Sequence, residues 1–216
     1  MAPVRVWGAR YSVFSRMLEL ALREKDHPYE WHERDVFDSA ADRSDQESRH
    51  PWGKVPAMEH AGLLLYETRA CLAYLEQPEF GAVRLEPEAP RARARAEQVF
   101  SIAASYAYPA MVWEVFVEAV GRRAEGLEPD PERVAHGLGR AERVLDALEP
   151  LVGEDGVLDS ARPTLADIAL GPVFAYFTCV GPARLLLAGR PALRDWWHGW
   201  RERPSMQATR SPLEDA

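Results

Sequence analysis

Up to residue 76 the apolar residues of this chain follow strand and helix periods in turn; after residue 90 only helix periods remain. Val4-Arg5-Val6-Trp7 alternates apolar and polar and is followed by Gly8, the pattern of a short strand. From Phe14 the period lengthens. Phe14, Met17, Leu18, Ala21 and Leu22 fall on one helical face that ends near Lys25-Asp26. Pro28 to Glu33 alternates again, so the chain opens as strand–helix–strand, the layout of a parallel βαβ unit. Asp38 to Ser48 is polar and irregular, with room for a short surface helix. Pro51 to Glu59 leads into a strand, Gly62 turns the chain, Leu63 to Leu65 reads as a partner strand, and Tyr66 to Glu76 as a helix. The first 76 residues thus read βαβ, then ββα.

Pro78, Gly81, Pro87 and Pro90 break all periodicity between residues 77 and 90, which reads as a linker. Beyond it, Val99 to Val120 form one long helical stripe with Pro109 inside, which predicts a kink. Further helices are expected over Val134 to Leu148, from Thr164, and through Leu193, Trp196, Trp197 and Trp200. The expectation is an α/β domain over 1–76, a linker over 77–90 and an all-helical domain over 91–216.

The chain has 216 residues, 47% hydrophobic and 28% charged, enough to bury a core and stay in solution. A net charge of −8 argues against nucleic acid or an anionic membrane as the main partner. Arg91, Arg93 and Arg95 read as a solvated helix start. Cys71 and Cys179 match no metal-ligand spacing and read as two buried free thiols in a reducing compartment. No apolar run reaches signal-peptide or membrane-spanning length, so the expected location is the cytoplasm. The polar tail Ser211 to Ala216 is expected to fray.

Three stretches resemble the glutathione S-transferase family, in the family's order and over nearly the whole chain. Ser12 to Glu30 is similar to the first helix and second strand of its serine-type, theta- or phi-like, bacterial-style members, whose catalytic serine stands four residues before an arginine; here these are Ser12 and Arg16. Gly53-Lys-Val-Pro-Ala-Met-Glu59 and Leu65-Tyr-Glu-Thr-Arg-Ala70 resemble the family's G-K-V-P strand and E-S-R-A helix start. Pro163-Thr-Leu-Ala-Asp167 and the tryptophans from Trp196 to Trp200 resemble its helical-domain signature.

The resemblance implies a thioredoxin-like first domain that binds glutathione as co-substrate. It implies no metal, and a homodimer with two-fold symmetry. A free thiol has a pKa near 8.5 and is only a few per cent thiolate at neutral pH, so a protein that uses it activates it. The resemblance gives that role to Ser12, whose hydroxyl would donate to the sulfur above a helix N-terminus; alone, the residue reads equally as a helix cap. Ser15, Tyr11 and Arg16 stand close enough to compete. Where the tyrosine-type members carry their tyrosine, this chain has Trp7.

By the same resemblance the Val55–Pro56 bond is cis, and the backbone of Val55 pairs with the cysteinyl backbone of the tripeptide. Lys54 would meet its glycine carboxylate. Glu67 and Thr68 would hold its γ-glutamyl end at a helix start, where threonine replaces the family's usual serine. His50 is either a contact of the glycine end or a plain loop residue.

Ser12-Val-Phe-Ser15 stands where redox relatives carry Cys-x-x-Cys, so exchange through the protein's own thiols is not expected. Tyr11, Phe14, Tyr106 and Trp113 are candidates for the pocket of a small hydrophobic electrophile, though aromatic stripes more often build cores. Thr164 and Asp167 form a capping box, and Trp196, Trp197 and Trp200 read as packing. The function expected is glutathione transfer. The alternatives are a non-catalytic interaction or regulatory module of the same fold, and a glutathione-dependent lyase, isomerase or dehalogenase.

Overall fold

The computed structural model describes residues 3–38 and 43–215. The chain divides into two compact units that meet in sequence at Arg84 and Leu85, a point inside the proline-rich stretch.

In the first unit, β1 (Val4–Gly8), β2 (Tyr29–Glu33), β3 (Ala57–His60) and β4 (Leu63–Tyr66) form one sheet in the order β2-β1-β3-β4. Helices α1 (Val13–Glu24), α2 (Arg43–Arg49) and α3 (Thr68–Tyr74) complete it. β1 and β2 run parallel, with Val6 opposite Trp31, while β1–β3 and β3–β4 are antiparallel. Both the βαβ and the ββα readings hold. β1 is buried apart from Arg5: Val4 and Val6 are fully enclosed, and Trp7 is covered by the stacked His32 ring and the Arg49 guanidinium.

α1 buries Met17, Leu18, Leu20, Ala21 and Leu22 and packs against α3. Each of the methionine and leucine side chains contributes about 1.5–3 kcal/mol. The helix stops where Lys25 bonds back to Ala21 and Asp26 takes a positive φ of 49°. The Lys25 ammonium is buried, but it donates to the Val83 carbonyl at 2.6 Å and pairs with Glu76 at 2.9 Å, so its desolvation is offset.

The second unit is helical. α4 (Pro90–Ile102) continues into a π-helical stretch, Ala103–Gly121, and then α5 (Arg122–Ala124), one helix of 35 residues in all. Pro109 sits inside the wider turns. Proline has no N–H, and its ring crowds the carbonyl four residues back; the wider turns relieve that crowding. This helix is long and apolar enough to cross a membrane by length and composition alone, yet half of its most apolar window is buried inside the fold. It packs against α6 (Pro131–Leu148) and α7 (Leu165–Phe177). Every residue of α7 is buried, and α7 also meets α9 (Pro191–Arg201), whose Trp196, Trp197 and Trp200 are core. α8 (Gly181–Ala188) and α10 (Pro204–Ala208) are additional helices that weak periodicity concealed.

Gly171 is the residue that lets α7 and α9 close: a Cβ there would lie 2.0 Å from the Trp200 indole nitrogen. The capping box exists as expected, with Asp167 accepting from the Thr164 N–H at 2.8 Å and its hydroxyl at 2.9 Å.

Two expectations are corrected. The tail does not fray over its described part. Pro212–Asp215 is a 3₁₀ turn, and Ser211 is buried, accepting from the Tyr176 hydroxyl at 2.7 Å. Polarity suggested solvent, but the polar atoms are spent on that contact. Cys179 is only half-buried, because it lies just beyond the end of α7; Cys71 is fully enclosed, and both are free thiols.

Candidate functional site

Ser12 stands at the end of a tight turn between β1 and α1. The turn is closed by the Ser12 N–H donating to the Ala9 carbonyl at 2.9 Å. Gly8 makes the approach possible: a Cβ there would come within 2.6 Å of the Trp31 ring and 3.1 Å of the Ser15 Cβ. Ser12 is the N-cap of α1, its hydroxyl oxygen accepting from the Ser15 N–H at 3.2 Å. A hydroxyl has two acceptor sites and one proton, so the cap leaves its donor function intact. The first turn of α1 carries no acidic residue, so nothing there neutralises the positive end of the helix.

The competitors separate by position. Ser15 is fully buried, its hydroxyl accepting from the Ala9 N–H at 3.3 Å, and it packs under the turn. Tyr11 donates its hydroxyl to Asp35 at 2.8 Å and accepts from the Val36 N–H at 3.1 Å. Burial, and then the bond to Asp35, raise its pKa well above the ordinary tyrosine value, so its proton is held firmly. Arg16 is buried in α1. Phe14 is half-buried in the first turn of α1.

The second cluster surrounds the loop before β3. The Val55–Pro56 bond is cis. Lys54 is exposed, and its carbonyl accepts from the side-chain amide of Gln46 on α2, so α2 holds the loop's backbone. His50 is buried beneath, its ring against Trp52 and Tyr66, and its Nδ1 has no hydrogen-bond partner. Burial lowers its pKa, with the nearby Glu67 carboxylate opposing. Tyr66 leads into α3, so the contact of the His50 ring with Tyr66 joins the loop to that helix start. There Glu67 is exposed, makes no side-chain cap and takes a positive φ of 67°, a sparsely populated conformation for a non-glycine residue. Thr68 is buried at the first position of α3. Beside the loop, a cavity of about 620 Å³ is lined by Asp35, Gln46, Trp52 and Gly53 among others.

Ser12, Lys54, Val55, Pro56, Glu67 and Thr68 therefore all lie in the first unit, on the turn after β1, the loop before β3 and the start of α3. Tyr106 and Trp113 lie on the π-helical stretch of the second unit, 60% and 38% exposed, whereas Met111 between them is fully buried. Gln46 and Asp35 were not visible as site residues in the sequence. Each acts on a backbone or hydroxyl group that is remote along the chain, and no spacing rule marks such a pair. Among the described residues, no group of three or more His, Cys, Asp and Glu side chains is placed to hold a metal.

Known proteins of this fold are numerous. The glutathione S-transferase N-terminal domain matches residues 6–82, and the glutathione S-transferase C-terminal domain matches residues 131–196. Glutathione S-transferase F6 of Arabidopsis thaliana is 28% identical over 96% of this chain and 99% of its own length. The structure of glutathione S-transferase III in apo form superposes with a TM-score of 0.82 at 25% identity, over 96% of this chain and 95% of that one. Glutathione S-transferase I from mais, in complex with an atrazine glutathione conjugate, gives a TM-score of 0.82 at 24% identity over 99% of both chains. Two matched domains in the family's order, on a thioredoxin-like sheet followed by a helical unit, place this chain in the glutathione S-transferase family.

Proposed function

We propose that this chain is a serine-type glutathione transferase in which the Ser12 hydroxyl donates to the sulfur of bound glutathione and holds it as thiolate. The observation that carries the reading is the Ser12 oxygen accepting one bond from the Ser15 N–H at the N-terminus of α1. The hydroxyl proton and the helix dipole then act on one point, and both favour the anion. The thiolate attacks an electrophilic carbon, the leaving group departs, and a thioether forms. The protein's own cysteines do not serve. Burial raises the Cys71 thiol to about 12 and the Cys179 thiol to about 11, far from the thiolate form at neutral pH.

Binding falls to the second cluster. Lys54 faces the glycine carboxylate, the Val55 backbone pairs with the cysteinyl backbone, and Thr68 with Glu67 receives the γ-glutamyl end. The absence of a side-chain cap at Glu67 supports this, since the first N–H groups of α3 have no acceptor from that side chain. The second substrate is a small hydrophobic electrophile, with Tyr11, Phe14, Tyr106 and Trp113 as its candidate contacts. The protein acts in a reducing compartment, the cytoplasm, as a homodimer.

The test is the pKa of the glutathione thiol in the complex, read from thiolate absorbance against pH. Ser12→Ala is expected to raise it by about one to two units, and Ser12→Thr to restore it. A thiol pKa that is the same in Ser12→Ala and the unaltered protein overturns the assignment.

A further inference from the structure

The turn that carries Ser12 is laced to the segment leaving β2 by a set of hydrogen bonds, an ion pair and a cation–π contact. Gly8 accepts from the Arg34 N–H at 2.8 Å. Arg10 donates its N–H to Glu33 at 2.9 Å, and its guanidinium lies 4.2 Å over the Trp31 ring. Trp31 in turn donates to the other oxygen of Glu33 at 2.6 Å. From the opposite side the guanidinium pairs at 2.7 Å with Glu19, whose buried carboxylate also receives Arg23 and the Tyr29 hydroxyl. Tyr11 donates to Asp35 and accepts from the Val36 N–H, while the same Asp35 oxygen accepts from the Phe37 N–H at 2.9 Å. The two central residues of the turn, Arg10 and Tyr11, are thus both tied down on Glu33–Val36.

We infer that Glu33–Val36 is a clamp that fixes where the Ser12 hydroxyl points, with Arg10 and Tyr11 as positioning residues and Asp35 as the anchor of the second arm. The inference rests on the reading of Ser12 given above. The chemistry needs such a device. A hydroxyl on a surface turn stabilises a thiolate only when its proton stays aimed at the sulfur, and a misplacement of about 1 Å costs on the order of a hundredfold in rate. The cap bond to Ser15 fixes the oxygen from the helix side alone. The clamp holds the turn from the strand side. It also reassigns Tyr11, whose proton points at Asp35 and not at a ligand.

The test is a double-mutant cycle of Tyr11→Phe and Asp35→Ala, with Ser12→Ala as control, in the full-length protein with glutathione and a chlorodinitrobenzene electrophile. Tyr11→Phe alone does not distinguish a positioning residue from a direct donor, but Asp35→Ala does, because it releases the Tyr11 hydroxyl. Each single variant is expected to raise the bound thiol's pKa by about half a unit, roughly a threefold loss of thiolate at neutral pH. Glutathione affinity by calorimetry at neutral pH falls by no more than about that same threefold, the limit that linkage to the thiol sets, and kcat falls. The double variant shows no more than either single one, since both cut the same arm. Asp35→Asn, which keeps an acceptor oxygen, recovers the unaltered value. A thiol pKa that rises in Tyr11→Phe but holds or falls in Asp35→Ala makes Tyr11 the donor and overturns the clamp. A thiol unmoved by both, while Ser12→Ala moves it, overturns the clamp alone. A thiol unmoved by Ser12→Ala overturns the reading of Ser12 and the clamp with it.

Discussion

At Ser12 one oxygen has two partners to satisfy. As the cap of α1 it accepts from Ser15, and replacing it with alanine removes that bond along with the donor. A cap of this kind contributes about 1 kcal/mol, so Ser12→Ala is expected to lower the unfolding free energy by that amount in addition to its effect on the thiol. Denaturant unfolding without glutathione measures the first effect, and the thiol titration measures the second. Lys54 behaves differently, because its side chain is exposed and its fixed part is the carbonyl held by Gln46. Lys54→Ala should raise KM for glutathione about tenfold and leave kcat alone, the signature of lost ground-state binding. A fall in kcat with unchanged KM would remove Lys54 from the binding site.

Asp167 gives a pH prediction at the same scale. Burial pushes its carboxyl from 3.8 up to about 6, against the pull of the Thr164 and Trp196 donors. A raised carboxyl binds a proton in the folded state that the unfolded chain has already released, so stability falls as pH rises from 3.8 to about 6. The window is worth about 3 kcal/mol. The stability difference between the unaltered protein and Asp167→Asn should change by about that amount between roughly pH 4 and pH 7. A difference that stays flat with pH contradicts the shift.

At the scale of elements, the contact between α7 and α9 depends on Gly171. A Cβ there meets the Trp200 indole at 2.0 Å, and Trp200 is fully buried. Gly171→Ala is therefore expected to destabilise the protein by about 1–3 kcal/mol through overpacking, despite alanine's better helix propensity. Thermal unfolding checks this; an unchanged or raised midpoint would show that the helices can part at low cost. Elements were legible wherever a period ran long. α1 was found within a residue of its start, and β2 and β4 likewise, because alternation and helical spacing act locally. α8 and α10 were missed because eight and five residues are too few to establish a period. The π-helical stretch was read as a kink, since the sequence shows the proline but not how the turns around it widen.

At the scale of the whole molecule, a dimer of this chain has a mass of about twice 24.3 kDa, which light scattering distinguishes directly from the monomer. A monomer at micromolar concentration would remove the homodimer from the proposed function. The amino-acid sequence by itself determined the order of strands and helices, the break between the sheet-bearing and the helical unit, the capping box at Thr164 and the place of Ser12 at a helix start. All of these depend on neighbours a few residues apart. The tertiary structure alone decided the surroundings of the three hydroxyls. Ser15 is sealed under the turn, and Tyr11 is bound to an aspartate 24 residues away. Such a pairing depends on β2 lying beside β1, and no local pattern along the chain encodes it.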